Sequence, residues 1–372
     1  MPKKPGFKKL IIAAISARGY AQAAVACGYK VITIDAFADA DTQRAAMQAF
    51  KLKTSEQGVD ADDFKRVFIN IAAQINLDDV DGLLYGSLFD AEPELLTWVA
   101  ARVTLIGNTP EVMKAAKEYH FFKLLEDLQI MNPEVRMEFP RDPLNWLAKK
   151  LGGTGGTHVR SAAVGSDADY YQKRVGGIPV SMLFVADGKT AQLIGFNRQF
   201  VAPTVDMPYR FAGAVNGVTL PVRGQQQFCH AAQQLTAAMG LRGINSLDAI
   251  LDCETLWVLE LNPRLSATFH LYPNLFPLHR QGCAGDLTGF SLQRAPVKAQ
   301  LILYADEAVE ISSDFVWPDW AADIPAIAGE ASGVKIAQNE PICTVLAEAE
   351  SADSAHALVL QRAQKLRGML RL

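Results

Sequence analysis

The sequence predicts an α/β domain at the start of the chain, built on a doubly wound parallel sheet and followed by an α+β region. Short apolar runs at residues 10–15 and 30–34, separated by a helical stretch at 20–27, are typical of buried parallel strands joined by a helix. From residue 134 onward, short alternating strands separated by glycine indicate antiparallel sheets. Together with a length of 372 residues, these patterns predict two or three domains.

The first domain is predicted to cover residues 1–108. After the opening unit, the patterns predict helices at 42–50, 62–75 and 93–101 and strands at 82–85 and 103–106. The turn Gly107-Asn108-Thr109-Pro110 then begins a long helix at 111–128, because proline favours the first helical position. We expect a domain boundary at this turn.

The second domain is predicted at 109–295, with a glycine-rich subdomain at about 134–180, and a small α+β segment at 296–372. Strands are expected at 170–175, 180–185 and 191–196, with a hairpin at Asp187-Gly188, and a helix at 225–239. The last segment should contain strands at 300–304 and 342–347 and a helix at 352–367, which Gly368 would end.

Composition favours a protein that acts on small molecules. Apolar residues make up 49% and charged residues 20% of the chain, as in ordinary soluble globular proteins. A net charge of −4 gives no global basic field for nucleic acid or membrane, and no run approaches the ~20 apolar residues of a membrane span. The five cysteines are far apart and odd in number, which indicates reduced thiols and a cytoplasmic location.

The first strand-turn-helix raises the question of a dinucleotide cofactor. A dinucleotide-binding turn would carry Gly-x-Gly-x-x-Gly, whereas this turn contains only Gly19. Asp35 does stand where an acidic ribose ligand would lie, but an acid at the end of a strand is common. The sequence therefore disfavours an NAD-dependent oxidoreductase and favours a scaffold or substrate platform.

A cluster of oxygen donors is predicted at 245–264. Two strands and a turn would place Asp248 on one strand and Glu260 and Asn262 on the next, with alternate side chains on one face and Arg264 just beyond. Mg²⁺ is held by such oxygens together with substrate phosphates. A hairpin whose acids merely face water is the alternative, but Glu260 lies within an apolar run, where an unpaired carboxylate is costly.

A lysine pair stands directly before a glycine-rich loop. Lys149 and Lys150 precede four glycines, whose backbone can approach a phosphate closely and form an anion-binding nest. These glycines are Gly152, Gly153, Gly155 and Gly156. The loop lacks the Gly-Lys-Ser/Thr of a Walker loop. A glycine-rich hairpin tip with no ligand is the alternative to a phosphate-binding loop.

The strand that follows ends in a glycine hinge. Gln172 and Lys173 lie just before Gly176-Gly177, so the strand edge and these side chains could contact an adenine ring. A charged edge strand that resists aggregation is the alternative explanation.

Candidates for the acceptor pocket are less distinctive. Ser266, Thr268, His270 and Tyr272 follow Arg264, although His270 could equally be an ordinary buried histidine. Arg210, in the loop 203–213, could bind a carboxylate bidentately or lie on the surface.

In this order, the lysine and glycine loop, the hinge strand and Asp…Glu-x-Asn-Pro-Arg resemble the ATP-grasp superfamily over nearly the whole chain. The resemblance implies an ATP-grasp fold after the α/β domain and binding of ATP with Mg²⁺ or Mn²⁺. It implies nucleotide contacts and metal ligands at single positions of this sequence. The implied phosphate-binding residues are Lys149 or Lys150, Gly153, Gly155 and Gly156. The implied adenine-binding residues are Gln172, Lys173, Arg174 and Val175. The implied metal ligands are Asp248, Glu260 and Asn262.

By the same resemblance, Lys149 and Arg264 would be catalytic, with Arg264 at the γ-phosphate or acyl phosphate. Lys150 stands where the family often has proline, and no acid for the ribose follows the hinge. The implied enzyme is an ATP-dependent carboxylate-amine ligase that acts through an acyl phosphate on small-molecule substrates, with a homodimer as a possible assembly. The segments 263–266, 317–318 and 341–345 resemble a carboligase branch similar to tyramine- or tyrosine-glutamate ligases of methanofuran-type, one-carbon cofactor synthesis. The alternative is a non-catalytic ATP sensor or scaffold of the same fold.

Overall fold

The computed structural model describes residues 8–55, 58–165, 167–292, 296–326 and 333–371. The start of the chain, through Phe7, and the predicted boundary at residue 295 lie outside these ranges. Over the described ranges, no helix has both the length and the apolar character that crossing a membrane requires.

A parallel sheet forms the first part of the chain. Its elements are β1 (Lys9–Ala14), α1 (Arg18–Ala26), β2 (Lys30–Asp35), α2 (Ala40–Ala45), β3 (Gln48–Lys51), β4 (Thr54–Ser55), β5 (Gly58–Val59), α3 (Ala61–Gln74), β6 (Val80–Tyr85), α4 (Pro93–Ala100) and β7 (Leu105–Ile106). The strand order is β3-β2-β1-β6-β7 with parallel pairs throughout, while β4 and β5 form a separate small hairpin. The predicted parallel sheet is confirmed.

The strand β1 is apolar because both of its faces are covered. Ile11 and Ala13 belong to one core with the helices α3 and α4, whereas Leu10 and Ile12 belong to another, which includes residues of α1 and α8 (Leu275–Ala284). The chain continues from β1 to β2 on one side, and β6 lies on the other. Ligands bind in open α/β sheets at such switch points, beyond the carboxyl ends of the strands.

Two predicted helices differ from the structure. The pattern at 42–50 predicts one helix, but α2 ends at Ala45 and β3 follows, because residues 48–51 pair with β2. The long helix at 111–128 is two helices, α5 (Pro110–Lys117) and α6 (His120–Asp127). The break lets Met113 pack in the first core while Phe122 packs in another, beside Tyr170.

The glycine-rich region forms a small antiparallel sheet of its own. Its strands are β8 (Val135–Arg136), β9 (Trp146–Lys149), β10 (Arg160–Ser161) and β11 (Tyr170–Lys173). The order is β10-β9-β11-β8, and Tyr170 lies opposite Lys149. The hinge that follows leads directly into the large sheet.

The large sheet has eight strands. The elements of this part of the chain, which also include a separate pair of strands, are β12 (Ile178–Asp187), β13 (Ala191–Val201), β14 (Phe211–Val215), α7 (Val222–Met239), β15 (Arg242–Asp252), β16 (Thr255–Asn262), α8, β17 (Val297–Tyr304), β18 (Val309–Ile311), β19 (Ala321–Ala322), β20 (Val334–Ile336), β21 (Pro341–Ala349) and α9 (Ala352–Leu370). The order is β16-β15-β12-β13-β14-β17-β21-β19, and β18 pairs with β20. The division of the chain at residue 295 stays a prediction; the pairing of β14 with β17 crosses it.

The two faces of this sheet differ. Val180, Leu247 and Val258 pack with Phe228 of α7 on one face, whereas Leu183, Val185 and Ile244 on the other face share a core with residues of the first domain. The predicted hairpin between β12 and β13 is confirmed. The prediction that Gly368 ends the final helix is wrong, because the helix continues to Leu370. Gly368 lies on the exposed side of the helix, and Leu366 continues its buried face.

Candidate functional site

β15 and β16 form the hairpin that the sequence predicts around the acidic residues. Their register sets Asp248 opposite Glu260, but a bulge follows at once, because Ala249 lies opposite Val258. Both Ala249 and Val258 point into the core under α7. In regular alternation Glu260 would share the face of Val258. The bulge turns Glu260 and Asn262 to the other face, beside Asp248.

The three predicted oxygen-donor residues meet in the structure. Asn262 Nδ2 donates to Asp248 Oδ2 at 3.1 Å and to Glu260 Oε1 at 3.3 Å. Gln199 on β13 donates from Nε2 to Asp248 Oδ1 at 3.0 Å. Nearby, Ser246 lies opposite Asn262 in the hairpin, and its buried Oγ has no hydrogen-bond partner among the described residues. A donor group therefore lies between two carboxylates, where a cation would also be stabilised.

The charges at this cluster are strongly coupled. Burial and the neighbouring Glu260 carboxylate raise the pKa of Asp248. Burial alone would also raise the pKa of Glu260, but the charges of Lys117, Lys149 and Arg264, with a hydrogen bond from Asp248, lower it. The Glu260 side chain is 42% exposed, so its charge faces open space. The negative charge of the pair therefore lies mainly on Glu260.

Two residues of this cluster were not among the candidates from the sequence, Asp90 and Lys117. Arg264 donates to Asp90 from Nε at 3.2 Å and from Nη2 at 2.7 Å, and also to Asn262 Oδ1 at 2.8 Å. Lys117 Nζ lies 2.9 Å from Asn262 Oδ1, 3.3 Å from Asp90 and 3.9 Å from Glu260. Asp90 follows the carboxyl end of β6, and that position is a signal that could have identified it. Lys117 carries no comparable signal.

The structure separates the two lysines before the glycine loop. Lys149, the last residue of β9, donates from Nζ to Gln172 Oε1 at 2.7 Å. Burial lowers the pKa of Lys149, although the carboxylates of Glu260 and Asp248 oppose the shift. Lys150 points away and pairs with Asp167 at 2.8 Å and Asp169 at 3.4 Å. Only Lys149 therefore faces the acidic cluster.

The glycine loop lies against two other segments. Gly152 and Gly156 have φ of +68°, and a Cβ on either would clash with a backbone carbonyl oxygen, that of Asp90 or of Tyr209 respectively. Phe211 N donates to Gly155 O at 2.8 Å. Glycine is thus required for the loop to rest both on the first domain and on the segment before β14.

Beside these contacts, Gly153 packs on the ring of His158, whose pKa burial lowers to about 4. The imidazole is therefore neutral near pH 7, and its buried Nδ1 has no partner among the described residues.

The hinge places one buried amide towards the cleft and two charged side chains outside. Gln172 is 1% exposed, and its Nε2 has no partner among the described residues, whereas its Oε1 accepts from Lys149. Lys173 and Arg174 are exposed, and their backbone N–H groups donate to Glu134 O and Asn145 O at 2.8 Å. Val175 is half-buried in the link to β12. Gln172 is thus the hinge side chain with a free, buried donor.

Of the acceptor candidates, Ser266 and His270 lie at the first domain. Ser266 O accepts from Tyr20 OH at 3.2 Å, and its Oγ lies 2.9 Å from Thr268 Oγ1. The His270 ring packs against Gly19 and lies 5.1 Å from the Tyr20 ring. Burial, with the nearby Arg18 charge, lowers the pKa of His270 to about 3, so the imidazole is neutral.

Arg210 is not brought to the acidic cluster. Its guanidinium donates to Ala202 O at 3.0 Å and to Asn339 O at 3.1 Å, and it stacks on Tyr304 at 3.8 Å. The contact with Ala202 closes the loop on itself, and the contacts with Asn339 and Tyr304 join it to the C-terminal part of the chain. Arg210 thus fastens the loop that ends beside the glycine loop.

The residues fit a hard cation with a nucleotide. No group of three or more His, Cys, Asp and Glu side chains suited to a metal occurs in the described ranges, so Asp248 and Glu260 depend on the Asn262 amide oxygen. That oxygen now accepts from Lys117 and Arg264, and the amide must rotate to join the carboxylates. The unpartnered Gln172 Nε2 fits a ring acceptor at the other end of the cleft.

Comparison with known proteins identifies the domain that carries this cleft. Residues 115–268 match the family model of the ATP-grasp domain. No curated protein sequence matches the chain at a significant level.

Several solved structures share the fold. The biotin carboxylase domain of 2-oxoglutarate carboxylase from Hydrogenobacter thermophilus has a TM-score of 0.70 at 11% identity, covering 96% of this chain and 90% of that one. Phosphoribosylamine–glycine ligase from Thermotoga maritima has a TM-score of 0.68 at 14% identity, covering 96% of both chains. L-amino acid ligase from Bacillus licheniformis has a TM-score of 0.67 at 12% identity, covering 95% of this chain and 96% of that one.

The ATP-grasp fold predicted from the order of the motifs is therefore confirmed, and residues 115–268 match the ATP-grasp domain family.

Proposed function

We propose that this protein is an ATP-dependent, ADP-forming ligase that joins a carboxylate to an amine. One observation carries the proposal: Asp248, Glu260 and Asn262 converge on one face of the large sheet, near the half-buried ammonium of Lys149. The two ligases and the carboxylase domain with the same fold support it, and the carboxylase domain was solved with MgADP.

The cleft offers a place for each part of ATP. Gln172 Nε2 would donate to the adenine ring, and the backbone of Lys173, Arg174 and Val175 would lie beside it. Lys149, rather than Lys150, would bind phosphate oxygens, because only its Nζ faces the carboxylates.

Closer to the metal, Gly153, Gly155 and Gly156 would cover the phosphates. Asp248, Glu260 and the rotated Asn262 amide would hold Mg²⁺ or Mn²⁺, which neutralises charge on the transferred phosphoryl group.

The reaction would proceed in two steps. A substrate carboxylate oxygen attacks the γ-phosphorus, the bond to the β-phosphate oxygen breaks, and ADP leaves. The amine then attacks the acyl carbon, inorganic phosphate leaves, and the amine loses a proton. Lys149 and Arg264 would stabilise the charge that develops on the phosphoryl oxygens. The closed glycine loop would keep water from the acyl phosphate.

For the substrates, we propose glutamate as the carboxylate and an aromatic amine such as tyramine or tyrosine, in methanofuran-type one-carbon cofactor synthesis. Support comes from the sequence resemblance at 263–266, 317–318 and 341–345. Ser266 and the neutral His270, beside the Tyr20 ring, would form part of the acceptor pocket. We propose that Arg210 has a structural role and holds in place the loop that ends beside the glycine loop. A cytoplasmic location and a homodimer remain proposals of the same kind.

A non-catalytic nucleotide sensor is the second candidate, because Asn262 Oδ1 already accepts from two cations. The deciding experiment incubates the protein with Mg·ATP and a panel of amino acids and amines, and measures ADP, phosphate and product mass. ADP formed only with a carboxylate and an amine together is expected of the ligase. Nucleotide binding without ADP under every condition would establish the sensor instead.

A further inference from the structure

Asp90 contacts two cations of the acidic cluster, Arg264 and Lys117. Its side chain is fully buried, although it belongs to the turn after β6 rather than to the large sheet. It contacts Arg264 through two hydrogen bonds of 3.2 and 2.7 Å and lies 3.3 Å from Lys117 Nζ. One carboxylate therefore faces two cations that are themselves only 8% exposed.

The contacts order the cleft from one end to the other. Gln172 at the hinge contacts Lys149, whose charge faces Asp248 and Glu260, and the amide of Asn262 joins these carboxylates to Arg264 and Lys117. A nucleotide with its base at Gln172 would thus reach the two cations with its terminal phosphate.

Arg264 keeps one edge free for such a ligand. Asp90 takes its Nε and one hydrogen of Nη2, while Nη1 makes only a long contact of 3.4 Å to Leu265 O. Asp90 thus fixes the guanidinium and at the same time offsets its charge.

We propose that Asp90 is an internal counter-ion that sets how strongly this cleft prefers a nucleoside triphosphate to a diphosphate. The inference rests on the proposed function, since it needs a nucleotide in the cleft. With Asp90 neutral, the nearest remaining carboxylate to Lys117 among the described residues would be that of Glu260, at 3.9 Å. A terminal phosphate would then supply the missing charge. In the affinity for a triphosphate, we expect the gain from removing the competing charge of Asp90 to exceed the loss from a less rigidly oriented Arg264.

The test compares the affinities for Mg·β,γ-imido-ATP and Mg·ADP by calorimetry in the wild type and in Asp90→Asn. In the variant, affinity for the triphosphate analogue should rise about tenfold while that for Mg·ADP changes less than about twofold. Equal changes for both nucleotides, or a weaker triphosphate, would overturn the inference. A wild type that binds neither nucleotide would overturn the proposed function and this inference with it.

Two further variants control the experiment. Asp81→Asn removes a carboxylate of the same sheet, paired with Arg280 at 2.7 Å, and should leave the ratio of affinities unchanged. If Asp90→Asn does not fold, Lys117→Met is compared with Lys117→Met/Asp90→Asn, in which the summed charge of positions 90, 117 and 264 is the same as in the wild type. The triphosphate preference should recover about tenfold on adding Asp90→Asn, and no recovery would refute the role of Asp90.

Discussion

Two buried arginine–aspartate pairs with nearly the same geometry lie in different surroundings. Arg264 contacts Asp90 at 2.7 and 3.2 Å, and Arg18 contacts Asp323 at 2.7 and 3.3 Å. Around Arg18, protein groups complete the bonding: Ser16 Oγ donates to Asp323, and Arg18 Nη1 donates to Gln22. The second pair joins the carboxyl end of β1 to the segment after β19.

The candidate site that contains Arg264 is incomplete by comparison. Two cations donate to the single oxygen of Asn262, and buried polar atoms of Ser246, Gln172 and His158 lack partners among the described residues. Buried polar groups are ordinarily satisfied. The difference teaches that a buried ion pair does not by itself mark a site; the first pair stands out because a second cation, Lys117, and unpartnered polar atoms belong to the same cluster. We interpret the first cluster as a binding site and the second as a joint between domains.

The largest effect is expected at the first cluster. Glu260→Gln should lower Mg·ATP-dependent turnover about 100- to 1,000-fold, because it removes the charge nearest the metal position. ADP release with an active substrate pair measures the loss, and circular dichroism checks that the fold is unchanged. Full activity in this variant would contradict the assignment of the cluster as a site.

The joint should respond in stability rather than in ligand binding. Asp323→Asn should lower the free energy of unfolding by about 3 kcal/mol, because it leaves the Arg18 charge buried without a partner. Asn suits the φ of +53° at this position, so the substitution tests charge and not backbone strain. Urea unfolding measures the change. A nucleotide affinity that falls more than about twofold would break the distinction between the two clusters.

The two lysines offer a matched pair. Lys149→Met should weaken Mg·ADP about 30-fold, since a charged hydrogen bond to phosphate contributes about 2 kcal/mol. Lys150→Met should change the affinity less than about twofold, because its ion pairs are partly exposed. Calorimetry at one fixed salt concentration compares them. A larger loss of affinity in Lys150→Met than in Lys149→Met would indicate that Lys150, and not Lys149, binds the phosphate.

The smallest effect concerns pH. Arg18 and the hydrogen bonds at the joint lower the pKa of Asp323 against the opposing effect of burial. Its stabilisation is therefore complete above its unfolded pKa of about 4 and is lost as the pH falls through the folded value. The difference in unfolding free energy between wild type and Asp323→Asn should stay constant from about pH 5 to about pH 8. A difference that shrinks within that range would assign the titration to another group.

Much of the cleft could be predicted from residues close together in the sequence. Asp248, Glu260 and Asn262 were identifiable because strand alternation and oxygen chemistry act over a few residues. The bulge after Asp248 was not, since core packing under α7 decides which way Val258 turns. Asp90 lies 174 residues from Arg264, and no local pattern reports such a pair.

The glycine turn of the first domain shows the same limit. The sequence disfavours a ribose-binding role for Asp35, and in the structure its side chain accepts hydrogen bonds from the backbone of Ala17, Phe37 and Ala38. These hydrogen bonds hold the loop after β2 in place, so Asp35 has a structural role. Hydrogen bonds of this kind depend on the path of the loop, which composition does not determine.

The joint between Arg18 and Asp323 also bears on how the chain is made. The two residues are separated by 305 positions. At about 5–20 residues per second, a ribosome would add Asp323 roughly 15–60 s after Arg18. The buried guanidinium of Arg18 therefore lacks this counter-charge until a further 305 residues have been synthesised, and the contact between the end of β1 and the segment after β19 forms only then.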